Sequence, residues 1–184
     1  MLFDFDRYSP RSAAREMAPR RLEEKQRDAW ESHRHRVFSV SYYMTGSEIE
    51  AEELLRDTFI SAFRRSDEPD QAVVDSALID HLTARLPLDP SASMPLPVST
   101  CGPSRRNILR VDLELAIRCL PLAERLVFLL MDVEGYPAQR IADLLQMRDP
   151  DVMRTAVMAR MRLRHELALM HEVALMHEDG QQAA

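Results

Sequence analysis

An all-α fold is what this sequence predicts, and three observations carry the prediction. Apolar residues recur at three- and four-residue spacings along most of the 184 residues, one proline-rich stretch interrupts them, and no segment shows the period-two alternation of a strand. A hydrophobic fraction of 46% is enough for a real core, so the chain reads as two small helical domains joined by a linker.

Residues 1–19 are mixed and polar, with Pro10 and Pro19 toward the ends, and are expected to form a mobile N-terminal arm. From 20 to 44, Leu22, Trp30, Val37, Val40 and Met44 fall on one helix face, which Thr45 and Gly46 bring to a stop. Ser47 followed three residues later by Glu50 is a capping box, so a second helix is expected over 48–65, burying Ile49, Leu54, Leu55, Phe59 and Phe63. It pairs antiparallel with the first. After the polar break at 66–70, a helix over 71–86 carries Val73, Val74, Ala77, Leu78 and Leu82 and completes a bundle over 20–86.

Residues 87–107 form the linker; five prolines with Ser, Thr and Gly lie between Pro87 and Pro103, the composition of an extended, flexible segment. The second domain, 108–170, opens with apolar-periodic helices over 108–120 and 122–131, separated by Pro121. Gly135 suits the left-handed close of a helix and Pro137 the first turn of the next, whose apolar face is Ile141, Ala142, Leu144 and Leu145. A break at 146–148 precedes Asp149, an N-cap residue, and Pro150. Val152, Ala156, Val157, Met161 and Leu163 then supply the apolar positions of a last helix. Residues 132–164 thus read as a helix-turn-helix, a unit that fits a DNA groove. The competing reading is a plain helical hairpin with a solvated arginine face.

The net charge of −6 conceals an uneven layout. Residues 148–164 hold five Arg against Asp149 and Asp151, a local charge of about +3 that targets phosphate, whereas 45–80 stand near −7 and favour a basic protein partner. Enzyme readings fail for want of a Gly-rich phosphate loop, a nucleophile motif or metal-ligand spacing, so no catalytic residue, cofactor or metal is expected. Cys101 and Cys119 suggest neither a disulfide framework nor a zinc site. With no apolar run long enough for a membrane span and no secretory leader in the acidic N-terminus, a cytoplasmic protein without membrane insertion is expected. In the tail, 171–184, the segment from His165 to Met170 nearly repeats from His171 to Met176 and restarts at His177. Residues six apart on a helix are rotated by about 240°, so these histidines cannot converge on one ion, and the repeat reads as an extension of the last helix.

Two blocks of sequence carry a family resemblance. The first runs Val37-Phe-Ser-Val-Ser-Tyr-Tyr-Met-Thr-Gly46, then Ala51-Glu-Glu-Leu-Leu-Arg-Asp-Thr-Phe59 and Ala62-Phe-Arg64. The second runs Ala116-Ile-Arg-Cys-Leu-Pro121 through Arg125, Val133-Glu-Gly-Tyr136 and Ile141-Ala142, then Val152, Ala159-Arg160 and Leu163-Arg164. In this order and spacing they resemble regions two and four of the extracytoplasmic function sigma factors of bacterial RNA polymerase.

That resemblance implies a transcription initiation factor whose partners are core RNA polymerase, through its β′ clamp and β flap, and promoter DNA. Glu52, Glu53, Leu55, Asp57 and Phe59 match the positions that dock on the clamp. Arg154, Thr155 and Met158 match base-facing positions at the −35 element, with Arg160, Arg162 and Arg164 nearer the backbone. The chain departs from the family at Met153, where Lys or Arg is usual, at Pro150-Asp151, where Gly-Thr is common, and at Gln146, where Gly is common. The segment that reads and melts the −10 element is reduced to 73–85 behind a short acidic loop lacking aromatic and basic residues. These departures motivate an alternative, a sigma-like interaction protein that binds an anti-sigma factor or polymerase without opening promoters.

Overall fold

Local cap chemistry sets most helix boundaries. In the computed structural model the backbone is described over residues 10–88 and 110–182, and side chains over 22–88 and 111–170. The described residues form α1 (Pro10–Thr45), α2 (Glu48–Arg65), α3 (Gln71–Arg85), α4 (Arg110–Cys119), α5 (Leu122–Phe128) prolonged by a π turn (Leu129–Val133), α6 (Ala138–Leu145) and α7 (Asp149–Gln182). Residues 89–109, which include all of the expected 87–107 linker beyond Leu88 and with it Cys101, lie outside the described residues, as do residues 1–9 and the side chains of the His171 and His177 repeats.

Gly46, at φ +76°, ends α1, and its N–H donates to the Tyr42 carbonyl at 2.7 Å. Ser47 caps α2 by accepting from the Glu50 N–H, while Asp70 caps α3 by accepting from the Val73 N–H at 2.9 Å. Two boundaries differ from expectation. Pro10, admissible in a first turn, is followed by Ala13, Ala14, Arg15, Glu16, Met17 and Ala18, strong helix formers, so residues 10–19 belong to α1 rather than to an arm. Asp149 is the first residue of α7 rather than its cap, and the Arg148 carbonyl accepts from the Asp151 and Val152 N–H groups.

In the N-terminal half α1 packs on α2, α2 on α3, and α3 back on α1; in the C-terminal half α7 packs on α4, α5 and α6. The halves also meet, α1 against α4 and α5 and α3 against α6, so a contiguous apolar core runs from Val37, Leu54 and Leu82 to Leu126, Ile141 and Val152. Each of these buried side chains contributes roughly 1.5–3 kcal/mol over leaving it exposed. Helical period alone misassigned four apolar residues: Leu22 is exposed, Ile49 is 73% exposed, and Val157 and Met161 are on the outer face of α7, whose inner face is Val152, Ala156, Ala159 and Leu163.

The turn between α5 and α6 is the local feature on which the site depends. The π turn widens the helix end, letting the Glu134 N–H donate to the Leu129 carbonyl and the Tyr136 N–H to that of Leu130, both at 2.9 Å. Gly135 between them takes φ +72°. This closure directs Tyr136 inward, where it is buried. The second turn is closed by Gln146 at φ +53°, the one non-glycine residue with positive φ among those described.

A Cβ at residue 135 would meet nothing within 4 Å, so Gly135→Ala should cost only the left-handed backbone penalty, about 1–2 kcal/mol. Gln146→Gly should have the opposite sign, a gain of about 0.5–1 kcal/mol after the extra freedom of the unfolded chain is subtracted. Urea unfolding of the two variants against the parent checks both signs.

Candidate nucleic-acid interface and the contacts behind it

The helix-turn-helix consists of α6, the turn at Gln146 and α7. On α7 the side chain of Arg154 is 73% exposed, with Nη2 3.5 Å from Asp151 Oδ1, and Arg148 just before the helix donates through Nε to Asp151 Oδ2 at 2.7 Å. Asp151 therefore gathers two arginines at the start of the helix. Arg164 is exposed, Met158 is half-buried, and half-buried Thr155 donates its hydroxyl to the Asp151 carbonyl at 2.8 Å. Met153, Val157 and Met161 make an exposed apolar row beside Arg154.

Two arginines expected near the DNA backbone are committed elsewhere. Arg160 grips Asp132 with Nε 3.1 Å from both carboxylate oxygens and Nη2 2.8 Å from Oδ1, and this hydrogen bonding raises its already high pKa. Arg162 is corrected more strongly: it is buried, its Nε 3.1 and 2.9 Å from the oxygens of buried Glu124. Its position on α7 faces α5, and the guanidinium closes that packing instead of reaching solvent. The cationic surface is accordingly Arg148, Arg154 and Arg164, with Arg160 at its edge.

On α2 the positions matched to polymerase docking separate in the same way. Glu52 and Glu53 are exposed; Asp57 is held by Arg85 at the end of α3, which also lies 3.6 Å from Glu53. Leu55 is half-buried against the core. Phe59 is 2% exposed, its ring 4.6 Å from that of Trp30 and 5.7 Å from that of Phe63, so it is a core residue and not a docking contact.

Sequence reasoning missed the contacts that join the halves. Asp75, buried in the first half of α3, accepts from Arg36 of α1, from Arg140 Nη2 of α6 at 2.6 Å and from the Tyr136 hydroxyl at 2.8 Å. Gln71 donates to the same hydroxyl at 2.8 Å, and Arg36 and Arg140 both lie over the Tyr136 ring, 5.8 and 4.8 Å from its centroid. The signal for this hub was an acid on the apolar face of a helix, since a carboxylate there requires a paired cation. At the other end of the contact, Arg125 donates to the carbonyls of Met44 at 3.1 Å, Tyr43 at 3.3 Å and Leu120 at 3.0 Å. It thereby caps α1 from the C-terminal half. Arg118 adds a 2.8 Å bond to the Tyr42 hydroxyl.

Comparison with known proteins bears on this arrangement. Residues 110–163 match the sigma-70, region 4 family. The fold is similar to that of the sigma factor RpoE from Bartonella quintana, solved in complex with the anti-sigma factor NepR, with a TM-score of 0.59, 16% identity and coverage of 77% of this chain and 95% of that one. No curated protein sequence matches. The class these findings define for residues 110–163, which are α4 to α6 and the first half of α7, is the sigma-70 region 4 domain. Over the part of the chain that the comparison covers, the fold is that of the solved sigma factor. Among the described residues no helix is long and apolar enough to cross a membrane, and no group of three or more His, Cys, Asp or Glu could hold a metal ion.

Two consequences can be measured. Arg162→Ala removes one partner of the buried Arg162–Glu124 pair and should lower unfolding stability by roughly 3–5 kcal/mol in denaturant titrations. Burial pushes the Tyr136 phenol from its ordinary 10 up to about 12. Because the folded state holds this proton more tightly than the unfolded one, the resulting stabilisation is complete below about pH 10 and lost as the pH rises through about 12. Ultraviolet titration should show one late-ionising tyrosine, absent from Tyr136→Phe.

Proposed function

We propose that this chain binds core RNA polymerase and directs promoter-specific transcription initiation in the cytoplasm, its region 4 domain reading the −35 element. The observation that carries the reading is Arg154, exposed on the second helix of a helix-turn-helix that lies within the region 4 match. Arg154 and Met158 face the bases, Thr155 supports the backbone of the first turn of α7, and Arg164 contacts phosphates. Arg148 extends that phosphate surface. On α2 the exposed Glu52 and Glu53, with Asp57 beside them, supply an acidic surface for a basic clamp on the polymerase β′ subunit, and the β flap is the expected partner of region 4.

A second reading is favoured by one feature of α7, the exposed row Met153, Val157 and Met161, which suits a protein partner as well as DNA. On that reading the chain binds an anti-sigma factor, as the similar solved sigma factor does, or polymerase, without opening promoters. Run-off transcription with purified core polymerase on the genome's own promoters separates the two; polymerase binding without a transcript from any template would sink the first. Arg154→Ala should weaken specific promoter binding by about 10- to 100-fold, the loss of one base contact. Glu53→Lys should abolish polymerase binding while leaving binding to promoter fragments intact.

A further inference from the structure

The hub at Asp75 has a chemistry that packing alone does not require. A guanidinium and a hydroxyl from the C-terminal half, Arg140 Nη2 and Tyr136 Oη, converge at 2.6 and 2.8 Å on one oxygen, Asp75 Oδ2, of the N-terminal half. That donor set binds a phosphate oxygen as readily as a carboxylate oxygen. Arg140 also lies on the first helix of the helix-turn-helix, the helix that crosses the DNA backbone when such a unit docks. We propose that Tyr136 and Arg140 form a binding site for a DNA backbone phosphate, that Asp75 occupies this site in the closed chain, and that closure and DNA engagement there exclude one another. The inference rests on the DNA-binding reading given above.

The contact between the halves is built to exchange partners. Asp75 keeps Arg36 when Arg140 leaves, because Arg36 and Asp75 both belong to the N-terminal half, so opening strands no buried charge. Packing does not seal the interface either. A cleft of about 430 Å³ lies between α3 and the C-terminal half, lined by Ile79, Thr83, Ala84, Leu126, Leu144 and Met147 among others. Beside this cleft the polar catch supplements the apolar core that the two halves share. Arg125, bonded to the end of α1, supplies the pivot at the far side.

The test uses the full-length chain with two variants, Asp75→Ala and Arg140→Gln, the second leaving the Arg36–Asp75 pair of the N-terminal half intact. Energy transfer between labels on α2 and α7 reports the separation of the halves, and fluorescence anisotropy with a short duplex of random sequence reports DNA affinity as a function of salt. Both variants should move the halves apart. Asp75→Ala should bind the duplex about 3-fold tighter or more, because the competent open fraction rises. Arg140→Gln should open without that gain and lower the salt slope by about one, the signature of one lost phosphate contact. Unchanged separation in folded variants overturns the proposal, and so does opening by Asp75→Ala without tighter binding. Should circular dichroism show Asp75→Ala unfolded, Arg140→Gln decides alone, an unchanged separation or salt slope counting against the site. Tighter binding by Asp75→Ala together with failure of every promoter to give a transcript leaves the phosphate site standing and removes the initiation reading.

Discussion

Asp75 is buried at 3% exposure on a helix whose neighbouring positions Val74, Ala77 and Leu78 are all core, and a carboxyl group in such surroundings needs cations and hydrogen-bond donors to reach it. That requirement fixes more than one element. Arg36 must come from α1, which sets how α1 lies along α3; Arg140 and Tyr136 must come from α6 and the turn before it, which sets where the helix-turn-helix docks. Tyr136 can answer only because the π turn and the positive φ of Gly135 carry the chain round to it. A single buried charge thus couples backbone conformation in one half to packing register in the other.

What was legible in the sequence was local. Ser47, Gly46 and Gly135 announce helix ends because a cap or a left-handed residue acts within four positions of itself, and α2 runs over the residues its capping box predicts. The all-helical fold followed from period, and region 4 from a spaced set of residues of which Tyr136 is one. What was not legible was pairing over distance. Arg162 counts as a surface cation until Glu124, 38 residues earlier, is known to face it, and Phe59 counts as a docking residue until Trp30 is seen to cover it. Ile49, Val157 and Met161 failed for a related reason: a helix's apolar period says that some face is buried but leaves open which rows at its margin the neighbouring helix reaches.

These pairings change the electrostatic account of the second half. Counting charges gave residues 148–164 about +3, yet Arg162 is spent on Glu124, Arg160 on Asp132, and Asp151 sits between Arg148 and Arg154. On the DNA-binding reading few phosphate contacts remain, and each missing one removes roughly one unit from the salt dependence that drives sequence-independent binding. A helix-turn-helix with so little free charge gains occupancy chiefly by being held near DNA. Under the initiation reading polymerase does this, since tethering converts a weak bimolecular contact into an intramolecular one at high effective concentration.

The acidic surface of α2 and the helix-turn-helix are both tied to α3. Its end carries Arg85, which holds Glu53 and Asp57 of the acidic surface; its first half carries Asp75, which holds Arg140. The two residues are about 15 Å apart along one continuous helix, a distance over which a helix transmits displacement with little bending. A basic partner surface seated on Glu53 and Asp57 competes with Arg85 for the same carboxylates, and whatever it moves at that end of α3 it moves relative to α6 at the other. The same helix lines the cleft between the halves, so along that stretch its packing against the C-terminal half is incomplete. Under the proposed function, docking on the acidic face and release of the Tyr136–Arg140 site are therefore mechanically linked through α3, which gives this helix a role that does not depend on reading a −10 element itself.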